Sequence, residues 1–241
     1  MSHIQTVLFD LDGTILPLDQ DIFIKTYFGL LAKTLAPRYP AERLMPAMMA
    51  GVEAMLRNNG ETTNETVFWK TFSAVYGEDM TGDLSTFDSF YRNEFHGAKA
   101  VCGYNPKAAE TVRKLKEMGF CVALATSPVF PAVATEARIR WAGLEPRDFA
   151  YITTYENSHF CKPNPAYYRE VAAALNCPPE ACLMVGNDVV DDMEAERVGM
   201  KVYLLTDNLL NREGRDIHRY PQGGYDDLMT LLADLTGQRL G

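Results

Sequence analysis

The sequence predicts an α/β fold in which a doubly wound parallel sheet is interrupted by an inserted, all-helical segment. Short apolar runs of the length of buried parallel strands alternate with helical patterns, which is the alternation that produces such a sheet. Residues 19–97 contain several helical patterns and no strand-like run, so they predict the insertion. The strand-like runs lie at residues 7–9, 122–125, 183–185 and 202–205.

Helices between and after the strands are predicted by their start signals and their periodicity. Asn105-Pro106 and Asn164-Pro165 each place an N-cap residue before a proline of the first turn, and Gly119 ends the first of these helices. Inside the insertion, apolar residues recur at helical spacing around positions 44–55 and 68–76. A closing helix is indicated by Leu228, Leu231, Leu232 and Leu235.

Composition limits the partners that the chain is expected to have. The 241 residues are 47% apolar and carry 32 acidic against 23 basic side chains, a formal net charge of -9. This charge disfavours nucleic acid and anionic membrane as partners and favours a small solute. No apolar stretch approaches the 18 or so residues of a membrane span, and the start lacks a signal-peptide pattern. We therefore expect a cytoplasmic protein.

The strongest local motif, Asp10-Leu11-Asp12-Gly13-Thr14, follows the first predicted strand. Ligands of open α/β sheets bind at the carboxyl ends of the strands, which is where these two carboxylates are expected. Asp and Gly are also ordinary turn residues, so the motif does not establish a site by itself.

Polar residues of complementary type follow the later strands and decide between these interpretations. Thr126 and Ser127 follow the second strand, Lys162 comes after the next helical unit, and Asp188 follows the third strand. At one sheet edge they would gather carboxylates, a hydroxyl, N–H donors and one ammonium group. Carboxylates clustered in this way repel one another and need a cation, and a set of Asp oxygens indicates Mg²⁺.

These motifs resemble those of the haloacid dehalogenase superfamily: DLDGT, Thr126, Lys162 in KPNP, and GNDVVDD at residues 186–192. The resemblance covers nearly the whole chain and includes the helical block after the first motif. It implies a Rossmann-like catalytic core at residues 1–16 and 103–241 and a helical cap of the first type at residues 17–102. True dehalogenases lack the second acid, Asp12, so the chain looks like a member of the phosphatase branch.

The resemblance also implies a role for each matching residue. Asp10 would be the nucleophile that becomes an aspartyl phosphate, and Asp12 would act as general acid and then as general base. Lys162 and Thr126, with the N–H of Ser127, would bind the phosphoryl oxygens. The residues implied for Mg²⁺ are Asp10, the backbone carbonyl of Asp12, Asp188 and, in the outer shell, Asp192.

The last motif departs from the family pattern because Asn187 separates the glycine from the first acid. The assignment of Asp188 therefore depends on its i to i+4 spacing to Asp192. If the segment is helical, Asp188 and Asp192 face one site and Asp191 points away, although a shifted cap would bring Asp191 in. Whether Asp191 or Asp192 is the second acid of this motif stays open at this point.

The sequence thus predicts a Mg²⁺-dependent phosphatase that hydrolyses a small phosphorylated metabolite. One alternative is a phosphomutase of sugar phosphates, because an aspartyl phosphate can pass its phosphoryl group to a sugar hydroxyl as well as to water. An alternative of another class is a non-catalytic, phosphorylation-dependent switch. Response-regulator receivers also combine an acceptor Asp, a Thr, a Lys and Mg²⁺, but they resemble a chain of half this length.

Overall fold

A computed structural model describes residues 4–236 and confirms the predicted fold class. Its sheet has five parallel strands in the order β2-β1-β3-β4-β5. The strands are β1 (Thr6–Phe9), β2 (Cys121–Leu124), β3 (Cys182–Gly186), β4 (Lys201–Leu205) and β5 (Gln222–Gly223). The four predicted strands are present, and the two-residue edge strand β5 was not predicted.

Helices account for most of the remaining chain. The α-helices are α1 (Gln20–Leu35), α2 (Ala41–Leu56), α3 (Asn64–Tyr76), α4 (Leu84–Arg92), α5 (Pro106–Glu117), α6 (Ala132–Trp141), α7 (Pro165–Ala174) and α8 (Tyr225–Thr236). Short 3₁₀ helices occupy Thr81–Asp83, Glu94–Val101, Pro146–Asp148, Pro179–Ala181 and Met193–Val198. The predicted caps of α5 and α7 are confirmed, since the side chains of Asn105 and Asn164 accept hydrogen bonds from the N–H groups of Lys107 and Ala166.

Helices cover both faces of the sheet. Along the interior strand β1, Val7 and Phe9 belong to the apolar cluster that contains residues of α5 and α8, whereas Leu8 belongs to the cluster that contains residues of α7. Every residue of β1 is buried. This two-sided burial is the reason why the strand is continuously apolar instead of alternating.

The inserted segment is helical, as predicted: from residue 20 to residue 101 the described chain contains only helices, turns and loops. The chain leaves and re-enters the sheet region through two adjacent segments, where Leu18 and Cys102 form an antiparallel bridge and the Gly103 N–H donates to the Pro17 carbonyl. These contacts lie beside the predicted boundaries at 16/17 and 102/103, which stay predictions. The outermost parts of the predicted core, residues 1–3 and 237–241, lie outside the described residues.

Strand register places the ends of β1, β2 and β3 at one level. Phe9 pairs with Leu124 on one side and with Val185 on the other. Beyond this level, the Asp10 N–H donates to the Val185 carbonyl and the Ala125 N–H donates to the Phe9 carbonyl. The residues that follow these three strands therefore share one sheet edge. Within residues 4–236, no helix is long and apolar enough to cross a membrane.

Candidate active site

A cavity of about 610 Å³ opens at this sheet edge, between the strand ends and the start of α1. Every side chain that the sequence singled out for catalysis, phosphate binding or metal binding lines it: Asp10, Asp12, Thr126, Ser127, Lys162, Asp188 and Asp192. Helix α1 contributes Gln20, Phe23 and Ile24 to the same wall. The geometry thus brings together residues that are far apart in the sequence, while their individual roles stay predictions.

Lys162 lies at the buried end of the cavity between two carboxylates. Its Nζ is 2.9 Å from Asp10 Oδ1 and 2.6 Å from Asp192 Oδ1. Burial alone would lower the pKa of Lys162, but the charges of Asp10 and Asp192 raise this pKa well above its ordinary value. The ammonium group is therefore charged at neutral pH and is held against the carboxylate at the tip of β1.

Asp192 pairs with Lys162 from the loop after β3, and its side chain is only 1% exposed. Burial raises the pKa of its carboxyl group to about 7, even though the Lys162 ammonium favours the charged form. Its second oxygen, Oδ2, accepts the Asp188 N–H at 2.9 Å. Asp192 therefore joins the Lys162 ammonium to the loop after β3.

That loop forms a turn instead of the helix on which the side-chain directions were predicted. Asp188 Oδ1 accepts the N–H groups of Val190 and Asp191 at 2.7 and 3.0 Å, and the Asp192 N–H bonds back to the Asp188 carbonyl. The condition under which Asp191 was expected to point away is therefore not met, and Asp191 also lines the cavity. Burial, with the nearby charge of Asp188, raises the pKa of Asp191 to about 6.

Asn187 was treated as an intervening residue, but it fixes the distance between the first and last motifs. Its Oδ1 accepts the Thr14 hydroxyl at 2.8 Å, and its Nδ2 donates to the Asn208 carbonyl at 2.8 Å. Gly13 has a φ of 85° and approaches Asn187 so closely that an added Cβ would lie 2.3 Å from Nδ2. Glycine is therefore required here both by conformation and by space.

Thr126 and Ser127 occupy the end of the second strand. The Thr126 carbonyl accepts hydrogen bonds from the Thr153 hydroxyl at 2.7 Å and from the Tyr167 hydroxyl at 2.9 Å. Thr153 and Tyr167 are themselves buried, so this backbone segment is fixed from behind while its residues line the cavity. A fixed loop of this kind is suited to holding donors towards an anion.

Asp12 has a partner that the sequence reasoning missed. Its Oδ2 accepts a hydrogen bond from Arg138 Nη1, whereas its Oδ1 is buried and has no hydrogen-bond partner in the described part of the chain. Burial raises the pKa of Asp12, an effect that Arg138 opposes and Asp10 reinforces. The available signal was an arginine three residues before Trp141 in a helix with mostly buried side chains.

The charges around the cavity are strongly unbalanced. Seven Asp side chains line it, but among the described residues only Lys162 and Arg212 line it with a positive charge. No three acidic, His or Cys side chains between residues 4 and 236 gather into a complete metal site. Mg²⁺ does not need one, because it is usually held by one or two carboxylates together with water and substrate phosphate oxygens. The donor set and its excess negative charge therefore fit this ion.

A comparison with known protein families shows to which family the chain belongs. Residues 4–199 match the family model described as "Hydrolase: haloacid dehalogenase-like hydrolase". The chain belongs to this family. The matched range contains all the cavity residues that the sequence singled out, and membership of this family makes the protein a hydrolase.

The similar proteins carry names of different activities. The chain is 24% identical over 236 residues to the pyrophosphatase PpaX of Bacillus mycoides (strain KBAB4), covering 97% of this chain and 99% of that one. It also resembles a 2-haloacid dehalogenase from Pseudomonas syringae pv. Tomato DC3000, with TM-score 0.63, 20% identity and coverage of 96% and 99%. A phosphatase from Thermococcus onnurineus has TM-score 0.59, 18% identity and coverage of 95% and 98%. At these identities the solved structures support the fold alone.

Proposed function

We propose that this protein is a Mg²⁺-dependent phosphatase that hydrolyses a small phosphomonoester through an aspartyl phosphate on Asp10. The observation that carries the proposal is the contact between Asp10 and the buried ammonium of Lys162 on the wall of a cavity that Asp12 also lines. A nucleophilic carboxylate, a fixed cation and a second carboxyl group are the parts that this type of phosphoryl transfer needs.

The first step is attack by a carboxylate oxygen of Asp10 on phosphorus. The new O–P bond forms as the bond from phosphorus to the leaving oxygen breaks, and Asp12 transfers its proton to that oxygen. Lys162, Thr126 and the N–H of Ser127 stabilise the charge on the other phosphoryl oxygens. In the second step, Asp12 accepts a proton from water, which attacks phosphorus and releases phosphate and the free Asp10 carboxylate.

The residues proposed to hold Mg²⁺ are Asp10, the backbone carbonyl of Asp12 and Asp188, with Asp192 in the outer shell, where its Oδ2 accepts the Asp188 N–H. When bound, the ion reduces the repulsion between the substrate phosphate and the acidic cavity wall. Asp191 is a further candidate ligand because it lines the cavity and has no cationic partner among the described residues.

The inserted helices are proposed to act as a cap at residues 17–102 that excludes water and selects the leaving group. Gln20, Phe23 and Ile24 of α1 line the cavity opposite the strand ends, so the leaving group is expected to lie against them. Pyrophosphate is the alternative substrate, because the similar protein PpaX is a pyrophosphatase. With pyrophosphate the leaving group would itself be a phosphate.

The test is phosphate release in the presence and absence of Mg²⁺ from sugar, nucleotide and glycolytic monoesters and from pyrophosphate. We expect Mg²⁺-dependent turnover of at least one monoester, with loss of turnover in Asp10→Asn. Asp234→Asn, an exposed residue of α8, is the matched control and keeps wild-type rates. Turnover of pyrophosphate alone would move the assignment to a pyrophosphatase, and turnover that survives Asp10→Asn would refute the proposed nucleophile.

A further inference from the structure

Arg138 is a charged residue placed where a charge is costly. It lies on α6 with 0% of its surface exposed, and its guanidinium carbon lies 4.2 Å from the ring centre of Phe130 and 5.9 Å from that of Phe23. Within residues 4–236, Asp12 is the only acidic side chain that pairs with it. A buried charge is tolerated only when it is paired and hydrogen-bonded, and Asp12 supplies that pairing. Because a buried ion pair is often no more stabilising than apolar side chains of the same volume, the presence of this pair indicates a role other than stability.

The surroundings of Arg138 fix the plane of its guanidinium group. Nε and Nη2 lie 3.4 Å from the Ala134 carbonyl and the Thr135 hydroxyl, both one turn earlier on α6, while Nη1 donates to Asp12 Oδ2. The ring of Phe130 covers one face of the group. The direction of the Nη1 donor is therefore set by the helix and by the aromatic packing.

Arg138 does not line the cavity, whereas Asp12 does. The guanidinium group thus lies behind the Asp12 carboxylate, on the side away from the space where a substrate would bind. From this position it makes no contact with a substrate in the cavity. It acts on the reaction only through Asp12.

We infer that Arg138 is a positioning residue for proton transfer to the leaving group. It holds the Asp12 carboxyl group in one orientation on the cavity wall, from which Asp12 gives its proton to the leaving oxygen as the bond from that oxygen to phosphorus breaks. This inference rests on the proposed function, because it requires Asp12 to act on a phosphoester. It adds a residue on α6 to the residues that the motifs supply.

The dependence of the rate on the leaving group separates this role from a purely structural one. An alkoxide leaves with difficulty unless it is protonated, whereas p-nitrophenolate leaves readily without a proton. General acid catalysis contributes about 10²–10⁴-fold to rate where it is needed. Loss of orientation at Asp12 should therefore slow the transfer of the phosphoryl group to Asp10 much more from an alkyl phosphate than from p-nitrophenyl phosphate, while damage to the whole site should slow this transfer equally from both substrates.

The experiment compares kcat/KM for an alkyl phosphate and for p-nitrophenyl phosphate in Arg138→Met, Arg138→Lys and Asp12→Asn. For Arg138→Met we expect the ratio of kcat/KM for the alkyl substrate to kcat/KM for the aryl substrate to fall about 10²-fold, because kcat/KM reports formation of the aspartyl phosphate and not its breakdown, which both substrates share. Arg138→Lys keeps the charge but not the planar fork, and it should show a smaller fall in the same ratio. Arg140→Met, two residues further along α6 and exposed, should leave both substrates unchanged.

Adding Arg138→Met to Asp12→Asn should lower the ratio no further than Asp12→Asn alone, because both changes remove the same proton transfer. An equal fall in kcat/KM for both substrates, or additive effects on this ratio in the double variant, would overturn the inference. If Arg138→Met does not fold, Arg138→Lys and its combination with Asp12→Asn decide by the same criteria. The proposed function is tested separately, by whether wild-type activity is lost in Asp10→Asn. Failure of the role of Arg138 can therefore be distinguished from failure of the proposed function.

Discussion

Replacement of Lys162 by Met removes the positive charge shared by two carboxylates and keeps most of the side-chain volume. Lys162 and Asp192 are each 1% exposed and Asp10 is 12% exposed, so water cannot readily replace the lost ammonium. Leaving a partner of a buried ion pair uncompensated costs about 3–5 kcal/mol. For a chain of this length, this corresponds to a fall in Tm of roughly 6–20 °C. The rate of phosphoryl transfer should fall on the order of 10²–10³-fold.

Urea and thermal unfolding measure the stability change, and phosphate release measures the rate. Lys70→Met, on an exposed position of α3, is the matched control and should shift stability by less than about 0.5 kcal/mol. The double variant Lys162→Met/Asp192→Asn should recover much of the lost stability, because no unpaired charge is left at position 192, and it should recover none of the activity. A stability loss for Lys162→Met below about 1 kcal/mol, the range of exposed ion pairs, would refute the reasoning.

Further predictions concern the loop after β3 and the first motif. Burial raises the pKa of Asp191 to about 6, above its unfolded value, so the native state binds the extra proton and the free energy of unfolding should fall as pH rises from about 4 to about 6. Unfolding of the metal-free wild-type protein and of Asp191→Asn should be measured across this pH window. The free energy of unfolding should fall in the wild type and fall less in the variant. Parallel curves would contradict the raised pKa of Asp191. Gly13→Ala should lose about 1–3 kcal/mol of stability, because Gly13 has a φ of 85° and the added Cβ would meet Asn187. An unchanged Tm would show that the close approach of Gly13 to Asn187 is absent. Asn187→Ala should cost about 1–3 kcal/mol through its bonds to Thr14 and Asn208, as denaturant titration would measure.

The sequence was informative where one local pattern carried both structure and chemistry. Asp10 and Asp188 could be placed at a sheet edge because each follows a short, continuously apolar run, and parallel strands end on the same side. The helical nature of residues 20–101 followed from periodicity in the same way. These features depend on short stretches of chain, which is why they could be predicted.

Features that depend on packing between distant segments could not be predicted in this way. The ion pair between Arg138 and Asp12 joins residues separated by 126 positions, and periodicity gives no information about which buried charge meets which. The side-chain direction of Asp191 depended on whether the loop formed a helix or a turn, and the hydrogen bonds of Asp188 to the following N–H groups favour the turn. Strand β5 is two residues long and lacks any apolar run.

The central claim is that Asp10 carries the phosphoryl group during turnover, and its most direct test is trapping of that intermediate. In Asp12→Asn, p-nitrophenyl phosphate should still phosphorylate the enzyme, because its leaving group needs no proton, while the breakdown that requires a base is slowed. Acid quench, proteolysis and mass spectrometry should then find one phosphoryl group on Asp10 and a burst of one equivalent of p-nitrophenol. Phosphorylation at another residue, or a burst that persists when Asp10 is also replaced by Asn, would contradict the account.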